Sequence, residues 1–220
     1  MRVTVIGASG GIGREFVRQA TAADHEVTAV IRDSARSAVA LREWERVPVG
    51  APGRLRVAVV DDLSPGELVA AVSGRDAVVS ALGPQGRSSD QTVNSRGVRA
   101  AVMAMQEAAV TRIVAVSAAP LFTDGSLLFR AVLRRVAWAL FGAHYADLER
   151  METVLRESGL DWTTVRPERL TDQAGTGRPT LMVDRPAPGL SVSRADIATA
   201  ILQLLPDADS VGHALGVGRP

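Results

Sequence analysis

The chain has 220 residues, 46% of them hydrophobic and 22% charged, which suits one globular domain with a substantial core. Its 25 basic and 24 acidic residues leave a formal net charge of +1, so no strong field recruits nucleic acid or an anionic membrane. Cysteine is absent, which excludes disulfides, thiolate metal sites and a cysteine nucleophile together.

The opening MRVTVIGASGG carries an apolar run too short for a signal peptide, so a cytoplasmic location is expected. RVTVIG (2–7) reads as a first strand and GIGREFVRQATAA as the helix after it. EVTAVIR (26–32) reads as a second strand, with Asp33 or Ser34 placed to cap the next helix. RLRVAVV (54–60) and DAVVSAL (76–82) supply a third and fourth strand around a short helix over 65–72. A helix over about 90–109 leads into a fifth strand, RIVAVSA (112–118). Past Ala118 the rhythm changes to an amphipathic helix over 126–141 and a second over 146–157 that ends at Ser158-Gly159. Arginines interrupt 126–142, which also falls short of the ~20 apolar residues of a membrane span. Its apolar stripe suits a wall or flap over a substrate crevice, with a membrane-surface helix as the alternative. DWTTVRP (161–167) is a sixth strand, 171–189 is rich in Gly, Pro and Thr, 194–205 is a helix and HALGVG (213–218) a final strand.

The strands are nearly continuous Val, Ile and Ala, the pattern of a parallel sheet buried on both faces. Strands alternating with helices predict an α/β fold: a Rossmann-type doubly wound parallel sheet with helices on both faces. All 220 residues are read as a single domain, with a small C-terminal substrate-covering region at about 119–145 and 168–190.

Gly7, Gly10 and Gly13 have the spacing G-x-x-G-x-x-G, at the junction of the first strand and first helix. In a dinucleotide site, Gly7 permits the tight turn, Gly10 lets backbone approach a pyrophosphate, and Gly13 lets the helix pack close to the sheet. The helix N-terminus then offers N–H groups to the phosphates, and Ser9 adds a hydroxyl. A glycine-rich turn without a ligand is the alternative. At the end of the second strand, Arg32 and Arg36 suit the 2′-phosphate of NADP. Asp33 competes as a ribose acceptor for NAD or as a helix cap. Asp62, with Leu63 beside it, is placed to accept the adenine amino group or simply to cap the following helix. Ala81, Leu82 and Gly83 are small enough for a cofactor to pass beneath the fourth strand.

Together, GASGGIG, VIRDSAR, DAVVSALG, VAVSA and METVLRESGLDWTTVRPERLTD resemble the short-chain dehydrogenase/reductase superfamily. The resemblance is to its atypical NAD(P)H-binding branch, which includes NmrA-like proteins and the biliverdin-reductase-B/flavin-reductase group. It implies that Ser9, Gly10, Gly11 and Ile12 touch the pyrophosphate, that Arg32 and Arg36 hold the 2′-phosphate, and that Asp62 and Leu63 frame the adenine. It places Ser117 near the nicotinamide and implies that Pro167, Glu168, Arg169 and Leu170 hold the carboxamide through backbone groups.

Ordinary members of that superfamily pair a tyrosine with a lysine four residues later, and the lysine lowers the tyrosine pKa. Here the sole tyrosine, Tyr145, is followed four residues on by Glu149, which would raise it, and the chain contains no lysine. Three readings follow. In one, NADPH passes hydride to a conjugated, flavin-like or quinonoid acceptor that needs no strong protein acid. In another, Tyr145, His144 or Ser117 acts in a non-standard catalytic role. In the third, the protein is a redox sensor of the NmrA-like type without turnover. His144 itself reads as a surface or cap residue. Pro120, Leu121 and Phe122 are candidates to line a pocket for an apolar, planar small molecule. No nucleic-acid, membrane or metal partner is expected, and the assembly is expected to be a monomer or small homo-oligomer.

Overall fold

In the computed structural model the described residues are 1–32, 35–46, 54–84, 91–119 and 128–219, with side chains at 35–36, 45–46, 128–137 and 140 excluded. The first half alternates strictly: β1 (Arg2–Ile6), α1 (Gly11–Ala22), β2 (Glu26–Arg32), α2 (Ala35–Arg46), β3 (Leu55–Val60), α3 (Pro65–Val72), β4 (Ala77–Ser80), α4 (Val93–Glu107) and β5 (Arg112–Val116). The second half continues with α5 (Leu128–Glu157), β6 (Asp161–Pro167), β7 (Arg169–Thr171), β8 (Thr180–Val183), β9 (Ser191–Ser193), α6 (Arg194–Leu204) and β10 (Ala214–Gly218).

Eight strands form one sheet in the order β3-β2-β1-β4-β5-β6-β10-β8, parallel except where β8 runs against β10. This is the expected Rossmann-like, doubly wound arrangement. Successive residues of β1 serve opposite faces. Val3 and Val5 join a core with Phe16 and Val17 of α1 and Ile197, Ile201 and Leu204 of α6. Ile6 joins a second core with Leu68 of α3, Met105 of α4 and Met151 and Leu155 of α5. Each such large side chain contributes about 1.5–3 kcal/mol by leaving water, which is why the central strands read as unbroken apolar runs.

Three features depart from the sequence reading. The edge strand β3 is not buried on both faces, and Val57 and Val59 are exposed at 40% and 62%. The two helices expected over 126–141 and 146–157 meet end to end within α5 across a non-helical kink at Phe141 (φ −131°, ψ 20°), and the second starts at Gly142 rather than 146. The Gly/Pro-rich stretch contains β8, and β7 pairs in parallel with β9 as a separate ribbon. In β10, glycine marks a close crossing: a Cβ at Gly216 would stand 2.6 Å from the Ala187 nitrogen, and one at Gly218 2.9 Å from the Ala187 Cβ. No described helix is long and apolar enough to cross a membrane.

Candidate functional site

After β1 the chain turns through residues 7–10, closed by the Gly10 N–H donating to the Gly7 carbonyl at 3.0 Å. Gly7 sits at φ +83°, and a Cβ there would lie 2.6 Å from the Ala81 carbonyl oxygen at the end of β4. Backbone conformation and close approach both demand glycine. Gly13 is needed one turn into α1, where a Cβ would lie 2.8 Å from the Ala8 Cα. Gly10 caps α1 in an extended conformation without a side-chain hydrogen bond, and the first turn holds no acidic residue. The positive end of α1 is thus left without a protein anion.

This turn forms one end of a cleft of about 360 Å³ at the C-terminal edge of the sheet, where the strand order reverses between β1 and β4. Such a crevice is where open α/β sheets take ligands. Gly7, Ser9, Gly10, Gly11 and Ile12 line it from the turn, and Ala81, Leu82 and Gly83 from the end of β4. Arg32 reaches it from the tip of β2, Leu63 from the segment after β3, Ser117 from the end of β5, and Leu170 from β7. Positions far apart in sequence are brought to one crevice by the parallel sheet.

Other selected residues lie elsewhere. Gly13 is buried behind the turn. Asp62 is exposed and organises the approach to α3: its Oδ1 accepts the Ser64 N–H at 2.8 Å, and its own N–H donates to Glu67 at 3.1 Å. Asp62, Pro167, Glu168, Arg169 and Tyr145 are not among the described residues of the cleft wall. Asp33, the Arg36 side chain, Pro120, Leu121 and Phe122 lie outside the described residues.

The wall also contains Leu148 and Arg194, which the sequence did not single out, and His144, which it named only as an alternative catalytic group. His144 and Leu148 line it from α5, and Arg194 from the start of α6. His144 is therefore half-buried in the wall rather than a surface or cap residue. Helical backbone resumes at Gly142, ahead of the expected 146, and sets positions 144 and 148 one turn apart on the same face. The described wall holds two arginines and a histidine and no carboxylate.

Behind the wall, Ser117 donates its hydroxyl proton to Glu152 Oε1 at 2.6 Å. Glu152, 2% exposed, also accepts from Arg166 Nε at 2.9 Å and from Arg156 at 3.1 Å. With its proton so committed, Ser117 presents acceptor lone pairs to the cleft. Burial lowers the His144 pKa against a smaller opposing effect of Asp147, so the ring is neutral near pH ~7. Tyr145 packs among Trp138, Phe141 and His144, with ring centroids 5.5, 6.4 and 5.8 Å away. Burial raises its phenol pKa, and the Glu168 carboxylate raises it further. The sequence assigned that effect to Glu149, but Glu149 is exposed and Glu168 is the carboxylate that acts.

A family model described as NAD(P)H-binding matches residues 7–208, so the chain belongs to that NAD(P)H-binding family. It is 29% identical over 218 residues to a Bacillus subtilis protein named as an uncharacterized sugar epimerase, YhfK, covering 97% of this chain and 92% of that one. A wide-type short-chain dehydrogenase/reductase from Veillonella parvula, solved in complex with NADP, matches with a TM-score of 0.78 at 21% identity. That match covers 100% of this chain and 94% of the other. ChuY, an anaerobilin reductase from Escherichia coli, matches with a TM-score of 0.73 at 23% identity over 98% and 97% of the two chains. Both structural likenesses establish the shared fold.

Proposed function

We propose that the chain is an NADPH-dependent reductase that passes hydride to a conjugated, flavin-like or quinonoid small molecule, the balancing proton coming from solvent. The observation that carries this reading is the composition of the cleft wall. Among the described residues an uncapped helix N-terminus and two arginines line it without a carboxylate or Tyr145, and the chain contains no lysine. When bound, the dinucleotide supplies the hydride. Ser9, Gly10, Gly11 and Ile12 would hold its pyrophosphate, and Arg32 with Arg36 its 2′-phosphate. Leu63 would pack against the adenine, and residues 167–170 would run beside the carboxamide.

The chain's own part in the chemistry is placement and exclusion of water. Leu148 and Leu170 supply apolar wall, suited to a planar body, and Ser117 orients an acceptor by receiving a hydrogen bond from it. Tyr145 is a poor proton donor here, because both burial and Glu168 make its phenol hold the proton more firmly. NADPH is favoured over NADH because Arg32 stands at the tip of β2, where an NAD site places an acidic side chain.

The test is oxidation of NADPH by the purified protein with flavin and quinone acceptors. Turnover is expected, and Tyr145→Phe should retain the rate to within about threefold, well short of the 10²-fold or larger loss that removing a general acid brings. A loss of that larger size would contradict the acid-free mechanism. NADPH binding with no turnover of any acceptor would contradict the enzyme reading and favour the NmrA-like sensor.

A further inference from the structure

We propose that Arg194, delivered from the C-terminal half of the chain, is the cation that neutralises the cofactor pyrophosphate at the glycine turn. Its side chain lies directly over Gly11: a Cβ on that glycine would stand 2.5 Å from Arg194 Cδ and 2.8 Å from Nε. Gly11 is therefore the residue whose bareness lets the guanidinium stem cross the first turn of α1. Arg194 lines the cofactor cleft beside Gly10 and Ile12 and also lines an adjoining crevice with Arg14, Trp44 and Asp172.

Its position runs against local preference. Arg194 opens α6, where a positive charge opposes the helix dipole. The favourable cap of α6 comes instead from Ser193 and Asp196, whose reciprocal hydrogen bonds measure 3.0 and 2.9 Å. A cation held at an unfavourable helix end, over a second helix end that lacks an anion, is explained by an anionic ligand between them. The partner of Arg194 is Asp172, at 2.6 Å, and that carboxylate is 88% exposed. An exposed ion pair of this kind contributes little, so phosphate oxygens can take over the guanidinium at small cost. Unlike Arg32, Arg194 would act on the part common to both dinucleotides.

The proposal rests on the dinucleotide reading of the cleft, and equilibrium titration of the apo protein with NADPH, NADH and 2′-AMP tests it. Arg194→Gln is expected to weaken NADPH and NADH alike, by about tenfold to a hundredfold, through loss of a charge-assisted contact. Binding of 2′-AMP, which lacks the pyrophosphate, should stay within about twofold of wild type. Asp172→Asn, which frees the guanidinium from its competitor, should leave NADPH binding unchanged or tighter. The proposal is overturned if Arg194→Gln leaves both dinucleotides unaffected, or weakens 2′-AMP equally. It is also overturned if Asp172→Asn weakens NADPH as much as Arg194→Gln does, since the ion pair would then be structural. Failure of the wild-type protein to bind any of the three ligands would overturn the cofactor reading itself, and the Arg194 assignment with it.

Discussion

Gly13 and Arg112 show how differently single residues declare their work. A methyl group at Gly13 would press on the Ala8 Cα at 2.8 Å and on the Gly7 carbonyl oxygen, backbone atoms that cannot swing aside. Gly13→Ala should therefore destabilise the protein by about 2 kcal/mol as an overpacked site. The measurement is the urea midpoint, and an unchanged midpoint would contradict the packing. That requirement is local, and the glycine spacing announces it. Arg112, 9% exposed, donates to the Leu205 carbonyl at 3.1 Å and also to Leu204, closing the end of α6 from a strand more than ninety positions earlier. It further donates to the Asp161 carbonyl at 2.9 Å and the Thr163 hydroxyl at 2.8 Å. In the sequence it is merely a basic residue at the head of a strand, because its partners are assembled only by folding. Arg194 escaped attention for the same reason.

At the scale of elements, α4 is completed by α5. No side chain caps α4 locally. Asp147, fully buried on α5, instead accepts the Asn94 N–H at 2.9 Å and the Ser95 hydroxyl. Asp147→Ala should cost about 2 kcal/mol, combining a lost cap with donors left unsatisfied. Chemical denaturation reads this directly, and a change near zero would show that the tie between the two helices is immaterial. Elements whose stability is carried by an apolar face were legible: β1, β2, β5, β6, α1 and α6 fall where the residue pattern puts them to within a residue or two. Elements held by a partner were not. β7 and β9, written RLT and SVS, have too little apolar character to announce themselves and exist through pairing with each other.

The whole molecule is a sheet between two separate cores, with the cleft at the edge where both cores meet the strand ends. Burial of His144 in that wall links stability to pH. Its folded pKa lies below the unfolded value of ~6.5, so the unfolded chain binds more protons as pH falls, and stability is lost below that value. His144→Gln should reduce the loss of unfolding free energy between about pH 7.5 and 5.5, a window above the carboxylate range. His25, also lowered by burial, accounts for part of the remainder, and an undiminished loss in the variant would contradict the assignment.

The phosphate-binding end of the site was legible because glycine spacing, strand end and helix start are consecutive in the chain. Leu148 and Arg194 were not, because α5 and α6 reach the cleft only through folding and sequence adjacency carries no trace of that meeting. The central claim, that this cleft is built for NADPH, is tested most directly by titrating the purified protein with NADPH and NADH. NADPH is expected to bind at least about tenfold tighter, an advantage that Arg32→Ala largely removes through loss of a charge-assisted phosphate contact. NADH binding as tightly as NADPH, with Arg32→Ala without effect, would contradict it.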